Sequence, residues 1–328
     1  MIDKRQKNAE IFRDTQKMYD TEPALVEAVS KGIKRQKFIG EKDDVAWEND
    51  TVTQPDTKER ANVVVSSKRS LEAAESYARL GKKVCVLNFA SATNPGGGVT
   101  RGSSAQEECI CRCTTLYPCL NSDKMWELFY KPHRSEKNPL HNNDCIYTPD
   151  VWVFKNDMDF PTLMPVEMWW QVNILTCAAP NLRENPSNEM NPSAGDQAAK
   201  LLDSELETLL TSRIRRIFEI ATAEGNRVLV LGAFGCGAFM NPPAVVAKVF
   251  YNVMQDFIGC FETIEYAVYH LPRETENYET FRRQMGSASK GAGKTEKKII
   301  YSEPAEYFPR EIRKKYKLGE FNDSFSQR

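Results

Sequence analysis

Three histidines in 328 residues, and nine cysteines without a single Cys-x-x-Cys pair, leave little from which to build a transition-metal centre. Cys109, Cys111 and Cys113 alternate, but no second cysteine pair or nearby histidine completes a zinc pattern. No apolar run approaches the roughly 18 residues that would cross a bilayer. The opening MIDKRQKNAEIFRDTQ is charged and lacks the apolar core of a signal peptide, so reduced, structural thiols and a cytoplasmic location are expected. An excess of positive charge is missing too. Forty-four Lys and Arg stand against 45 Asp and Glu, which gives no strong footprint for duplex nucleic acid. No Gly-x-Ser-x-Gly elbow or Cys–His pairing offers a nucleophile. What is present is a globular composition, 41% hydrophobic and 27% charged, in a chain long enough for a sizeable core.

The first forty residues carry helical periodicity, with Ile11, Met18, Leu25, Val26 and Val29 as candidate apolar contacts. NVVVSS (62–67), KVCVLNFAS (83–91), DVWVFK (150–155), MWWQVNILTCAA (168–179), RVLVLGAF (227–234) and TIEYAVYHL (263–271) read as strands. Their apolar runs are too continuous for a sheet with one wet face, which points to α/β layers. Helices are expected at 71–81, closed by Gly81, at 194–225, and at 241–257, where Asn241 would be the N-cap and Pro242 the first helical residue. Trp169 and Trp170 lie inside a buried-looking strand and read as core. One domain, 1–285, is expected. A Gly/Ser/Lys linker (286–298) and a short tail (299–328) follow it. The linker contains ASKGAGKT (288–295), which ends like a nucleotide-binding P-loop but has no preceding strand to place it.

Two glycine stretches have the context that the linker lacks. NPGGGVTRGSSAQEE (94–108) follows the strand at 83–91, where open α/β sheets bind their ligands. RVLVLGAFGCGAFMNPP (227–243) is a strand, a loop with Gly232, Gly235 and Gly237, and then a helix start, a junction that suits phosphate. Its spacing is not the dinucleotide fingerprint. Two such loops at two strand ends could grip a diphosphate between them.

Ser104 to Glu107 fits a capping box, so Glu107 could simply cap its helix; Glu108 has no such role. Neighbours on a helix diverge by about 100°, so the two glutamates cannot flank a glycosidic bond from opposite faces. Any glycosidic chemistry here would use one carboxylate as acid and then as base. The helix N-terminus favours ionisation, while the neighbouring carboxylate and bound phosphates raise the pKa. The two effects oppose each other. His133 and His141, with Asp144 and Cys145, fall in a polar loop (131–149) that is a weak metal candidate; no metal and no cofactor are expected.

NFASATNPGGGVTRGSSAQEE (88–108) resembles the signature of bacterial-type poly(ADP-ribose) glycohydrolases, a macrodomain family marked by three glycines, a spacer of six to eight residues and Gln-Glu-Glu. The spacer here, Val99 to Ala105, is seven residues. CICRCTTLYPCL (109–120), VNILTCAAPNLR (172–183) and GAFGCGAF (232–239) extend the likeness over about residues 5–285. The resemblance implies a three-layer α/β/α macrodomain with a mixed sheet, extended at its N-terminus by helices. It implies that Glu108 is the catalytic acid/base and that Glu107 holds the adjoining ribose. Asn94 would bind the distal ribose, Gly96, Gly97 and Gly98 would pass the diphosphate, and Val99 and Gln106 would line the site. Gly235, Cys236, Gly237 and Ala238 would form the second diphosphate loop, and Phe239 would pack on the distal ribose. The implied substrate is an ADP-ribose polymer or an ADP-ribosylated macromolecule, trimmed from its free end by a monomer. A hydrolase of mono-ADP-ribose on protein or nucleic acid, or a non-catalytic ADP-ribose reader, would need the same loops; the paired glutamates argue against the reader.

Overall fold

The computed structural model describes residues 3–45, 60–286 and 300–302. The P-loop-like stretch, most of the linker and the tail beyond residue 302 lie outside the described residues. In chain order the elements are α1 (Lys4–Thr21), α2 (Pro23–Arg35), β1 (Lys37–Ile39), β2 (Asn62–Ser66), α3 (Ser70–Arg79), β3 (Val84–Phe89) and α4 (Gln106–Cys113). Then come α5 (Leu116–Leu120), α6 (Asp123–Met125), α7 (Lys131–Glu136), β4 (Cys145–Val153), β5 (Trp170–Cys177) and α8 (Asp203–Ala223). The last are β6 (Val228–Leu231), α9 (Pro243–Phe257), β7 (Thr263–Ala267), α10 (Glu276–Gly286) and β8 (Ile300–Ser302).

The strands form one sheet in the order β1-β4-β5-β3-β6-β7-β2-β8. Among the described strands only β4 runs against its neighbours, so the sheet is mixed. Successive side chains of a strand point to opposite faces, and here both faces are covered. Val65, Leu87, Leu175, Leu229 and Leu231 pack with Leu210, Ile217, Phe250, Phe257 and Phe281 of α8, α9 and α10. Val84, Val86, Ile174, Val228 and Val230 pack with Phe12, Leu71, Ile110 and Leu116 on the other side. That double burial is why the strands read as unbroken apolar runs. The expected three-layer α/β/α arrangement with a mixed sheet and N-terminal helices is the one observed. No helix among the described residues is long and apolar enough to cross a membrane.

The N-terminal helix braces the element that carries the glutamates. Asn8 Nδ2 donates to Gly102 O (3.1 Å), and Thr15 Oγ1 donates to Arg112 O (2.6 Å) at the far end of α4. Lys155 Nζ reaches Ile11 O (3.1 Å) and Asp14 Oδ2 (2.7 Å) from the opposite side.

Several boundaries differ from expectation. The helix expected from 194 begins at Asp203, because Ser193 and Gly195 have positive φ and Glu205 accepts the Leu202 N–H (2.8 Å) to start the helix there. The strand expected at 150–155 begins five residues earlier and carries an irregularity between Thr148 and Val151; Asp150, at φ 53°, spends its N–H on Asn173 Oδ1 (3.1 Å). Pro149 made that stretch read as a loop. Residues 131–136 are helical, not loop. Val26 is exposed, whereas Ile11 and Leu25 are buried. Trp169 and Trp170 are buried, as expected of core. Asn241 does not cap α9, whose N-cap is Pro242; its amide has a different use, described below. Ile300–Ser302 adds an edge strand parallel to β2.

Candidate active site

The carboxyl ends of β3 and β6 deliver the two glycine loops. After β3 the chain turns through Asn94–Gly98 and a 3₁₀ turn at Val99–Arg101 into α4. Gly97 sits at φ 56°, and a Cβ there would lie 2.6 Å from Glu108 Oε1 and 3.2 Å from Glu107 Oε2. Both the backbone conformation and the closeness of the carboxylates require glycine.

Glu107 and Glu108, in the first turn of α4, are 3% and 6% exposed. The capping box is not formed: the N-cap is Ala105, without a side-chain bond. Glu107 Oε2 instead accepts the Ser91 N–H (2.9 Å), and Oε1 accepts Asn88 Nδ2 (3.2 Å). The simple capping role for Glu107 is therefore overturned. Its side chain faces the end of β3 rather than its own helix terminus. Glu108 Oε1 accepts the Gly98 N–H (2.9 Å), while its Oε2 is buried with no partner. The competition left open by the sequence is decided by burial. Burial first, and then Glu108, pushes Glu107 up to about 8, against the Ser91 N–H and the Asn88 amide. Burial also raises Glu108, with the Gly98 N–H as the main opposing influence.

The other expected residues divide into two groups. Gln106, Gly235, Gly237, Ala238 and Phe239 line a cavity of about 270 Å³, together with Phe89, Ala179, Arg69, Ser70, Asp157 and Tyr269. Gln106 is fixed there by accepting the Phe89 N–H (2.9 Å) and donating to Leu87 O (2.7 Å) and Ser70 Oγ (3.0 Å). Asn94, Gly96, Gly97, Gly98 and Val99, like the two glutamates, are not among the residues that line it. The Asn94 amide donates to the carbonyls of Gly97 and Met190, and Val99 is core. Cys236 is half-buried, its thiol turned to Phe234 O (3.8 Å) and raised by burial to about 12.

Asn241, expected as a cap, organises the second loop. Its Nδ2 donates to Pro180 O (2.7 Å) and Gly235 O (3.1 Å), tying the loop to the end of β5. Gly235 is at φ 74°, with Ala179 Cβ and Asn241 Nδ2 each 2.6 Å from where a Cβ would stand. Of the two histidines of the 131–149 segment, His133 is engaged through both ring nitrogens, whereas neither ring nitrogen of the buried His141 has a hydrogen-bond partner. His133 Nδ1 lies 2.7 Å from Phe129 O and Nε2 2.9 Å from Asn142 Oδ1, while His141 is buried beside Phe239, ring centroids 6.2 Å apart. Among the described residues no group of three or more His, Cys, Asp or Glu is arranged to hold a metal ion.

Sequence reasoning missed the second tier of the site. Ser91 and Asn88 hold Glu107. Asn191 Oδ1 accepts the hydroxyls of Ser91 and Thr93 (3.2 Å to Thr93) from a tight turn in which Asn188 and Asn191 bridge each other. Asn191 sits in a turn-rich stretch with no periodic signal, and nothing local connects it to residue 91.

Residues 9–156 match the family model for the microbial-type PARG catalytic domain. The crystal structure of poly(ADP-ribose) glycohydrolase from Thermomonospora curvata is similar over 85% of this chain and all of that one, at 28% identity and a TM-score of 0.73. The same enzyme bound to the inhibitor ADP-HPD gives 0.71 over the same shares at the same identity. Poly(ADP-ribose) glycohydrolase from Deinococcus radiodurans in complex with ADP-ribose is similar over 79% of this chain and 98% of that one, at 28% identity and a TM-score of 0.65. No curated protein sequence matches. The resemblance to bacterial-type poly(ADP-ribose) glycohydrolases stands on both grounds, the family match and the solved structures.

Proposed function

We propose, from a chain similar to bacterial-type poly(ADP-ribose) glycohydrolases, that this protein hydrolyses the ribose–ribose O-glycosidic bonds of poly(ADP-ribose), with Glu108 as the single acid/base. The observation that carries the reading is the asymmetry of the two carboxylates. Both oxygens of Glu107 accept hydrogen bonds, whereas Glu108 has Oε1 fixed by the Gly98 N–H and Oε2 without a partner. A buried oxygen without a donor is a costly arrangement unless a ligand group completes it. Burial also keeps the Glu108 proton available at a pH where an exposed glutamate has lost it, as a general acid requires.

In this mechanism the protonated Glu108 donates to the leaving 2′-oxygen as the glycosidic bond breaks and the distal ribose gains oxocarbenium character. The resulting Glu108 carboxylate then takes a proton from the water that attacks the anomeric carbon, which restores the acid. Glu107 holds the adjoining ribose, pre-oriented by Ser91 and Asn88. The Gly235–Ala238 backbone receives the diphosphate, and Phe239 packs on the distal ribose. Residues 1–285 form the catalytic unit, acting from the free chain end as a monomer in the cytoplasm.

The test follows free ADP-ribose by chromatography after incubation of purified protein with poly(ADP-ribose). Release by the parent, and a loss of about a thousandfold or more in Glu108→Gln with ADP-ribose binding retained, is the expected result. Tight ADP-ribose binding by the parent without release from polymer would overturn it, leaving a reader or a hydrolase of another linkage.

A further inference from the structure

The loop that contacts both carboxylates is closed by a side chain from elsewhere in the fold. Ser91 stands at the start of that loop, and its hydroxyl accepts the N–H groups of Asn94 (3.1 Å) and Thr93 (3.3 Å). Those bonds occupy both lone pairs, so the hydroxyl hydrogen needs a separate acceptor. Asn191 Oδ1 is that acceptor, and it also takes the Thr93 hydroxyl (3.2 Å). The same Ser91 gives its backbone N–H to Glu107 Oε2 (2.9 Å). Farther along, the Gly97 N–H donates to Asn94 O (2.9 Å) and the Gly98 N–H to Glu108 Oε1 (2.9 Å). The turn at Ser91 thus governs where both glutamates are held.

Asn191 arrives from the segment between β5 and α8 and is 5% exposed. Its own position is fixed before it meets Ser91. Asn188 Oδ1 accepts the N–H groups of Met190 (2.8 Å) and Asn191 (3.0 Å), and the main chains of Asn188 and Asn191 exchange hydrogen bonds (3.2 and 3.1 Å). Its neighbours grip the same loop: Met190 O accepts Asn94 Nδ2 (3.4 Å), and Glu189 pairs with Arg101. Asn191 Nδ2 is buried with no partner, so the hydrogen bonds of its side chain run to Ser91 and Thr93 alone. An acceptor on a hydroxyl that itself receives two N–H bonds polarises that hydroxyl and strengthens both.

We infer that Asn191 is a positioning residue for the hydrolysis: by holding the Ser91 hydroxyl it fixes the turn that presents Glu107 and Glu108. This rests on the glycohydrolase reading above. ADP-ribose release from poly(ADP-ribose) and ADP-ribose affinity, the latter by titration calorimetry, are measured on the full chain, Asn191→Ala, Ser91→Ala and the double variant. Asn191→Ala should lower kcat by about thirtyfold or more, because the carboxylates are misplaced. Its ADP-ribose Kd should stay within about threefold of the parent's, because the Gly235–Ala238 loop is untouched. Ser91→Ala keeps the N–H that holds Glu107 but removes the hydroxyl, and should lose a similar factor in kcat. The double variant should fall no more than about threefold below the weaker single variant, since both substitutions break one connection. A merely structural Asn191 would lower Tm and leave kcat of the folded protein parent-like. That result, or losses that multiply in the double variant, would overturn the inference and leave the glycohydrolase reading intact. Should Asn191→Ala fail to fold, Ser91→Ala carries the test alone, and parent-like turnover in it overturns the inference. If the parent releases no ADP-ribose from polymer, both readings fall.

Discussion

The two glycine loops have similar composition and opposite surroundings. In the first, Pro95 to Val99 is buried, and the Gly98 N–H is spent on Glu108, with Gly96 likewise donating to Glu107. In the second, Gly237 and Ala238 are exposed, and a Cβ at Gly237 would meet nothing within 4 Å. A glycine run at a strand end is therefore not one device. The first loop holds carboxylates that burial would otherwise leave unsatisfied, and the second offers its backbone to the cavity. The greatest damage should follow from breaking the first. Gly97→Ala forces a Cβ into a positive-φ position 2.6 Å from Glu108 Oε1. A loss of about 1–3 kcal/mol in stability is expected, read from denaturant midpoints. At temperatures where the variant is still folded, ADP-ribose release should fall by about a hundredfold or more, since Glu108 is displaced. Parent-like turnover in the folded variant would mean that the first loop does not hold Glu108 in place for catalysis.

How far the sequence carried depended on the range of each interaction. Sheet strands were legible because burial on both faces leaves an unbroken apolar run, and Gly97 and Gly235 because loop backbones at strand ends announce themselves. The capping alternative for Glu107 and the N-cap expected at Asn241 fail for one reason. A capping box and an N-cap are local patterns, and each local pattern lost to a distant partner, Ser91 and Asn88 for Glu107 and the Pro180 carbonyl for Asn241. Asn191 and Asp157 were invisible because their contacts, with Ser91 and Leu71, span about a hundred residues of chain. Hydrogen bonds of that separation leave no periodicity behind.

A smaller effect should appear in the pH dependence of stability. Burial pushes Glu107 up from the ordinary 4.5 to about 8 in the folded chain, so between those values the folded chain keeps a proton that the unfolded chain has released. Stability must then fall as pH rises from 4.5 to 8, level off above, and be untouched by this group below 4.5. Glu107→Gln removes that slope. The expected result is a drop in Tm between pH 5 and pH 8.5 that is smaller in the variant than in the parent by about a few °C, measured by scanning calorimetry. Because Glu107 and Glu108 are adjacent and buried, the slope belongs to the pair, and equal drops in the two proteins would mean that Glu108 carries it alone.

The smallest effect is expected at the open loop. Gly237 has ordinary φ, no neighbour within 4 Å of a Cβ position, and a place on the cavity wall. Gly237→Ala should leave Tm within about 1 °C, because no strain or clash is created. Its only route to function is the volume of one methyl group between backbone and ligand. ADP-ribose affinity should therefore weaken by about three- to tenfold if the diphosphate rests on this backbone, with the turnover rate at saturation unchanged. Were the affinity unchanged as well, the ligand would not be approaching the second loop closely. The contrast between a loop for carboxylates and a loop for phosphate would then reduce to a contrast in burial alone.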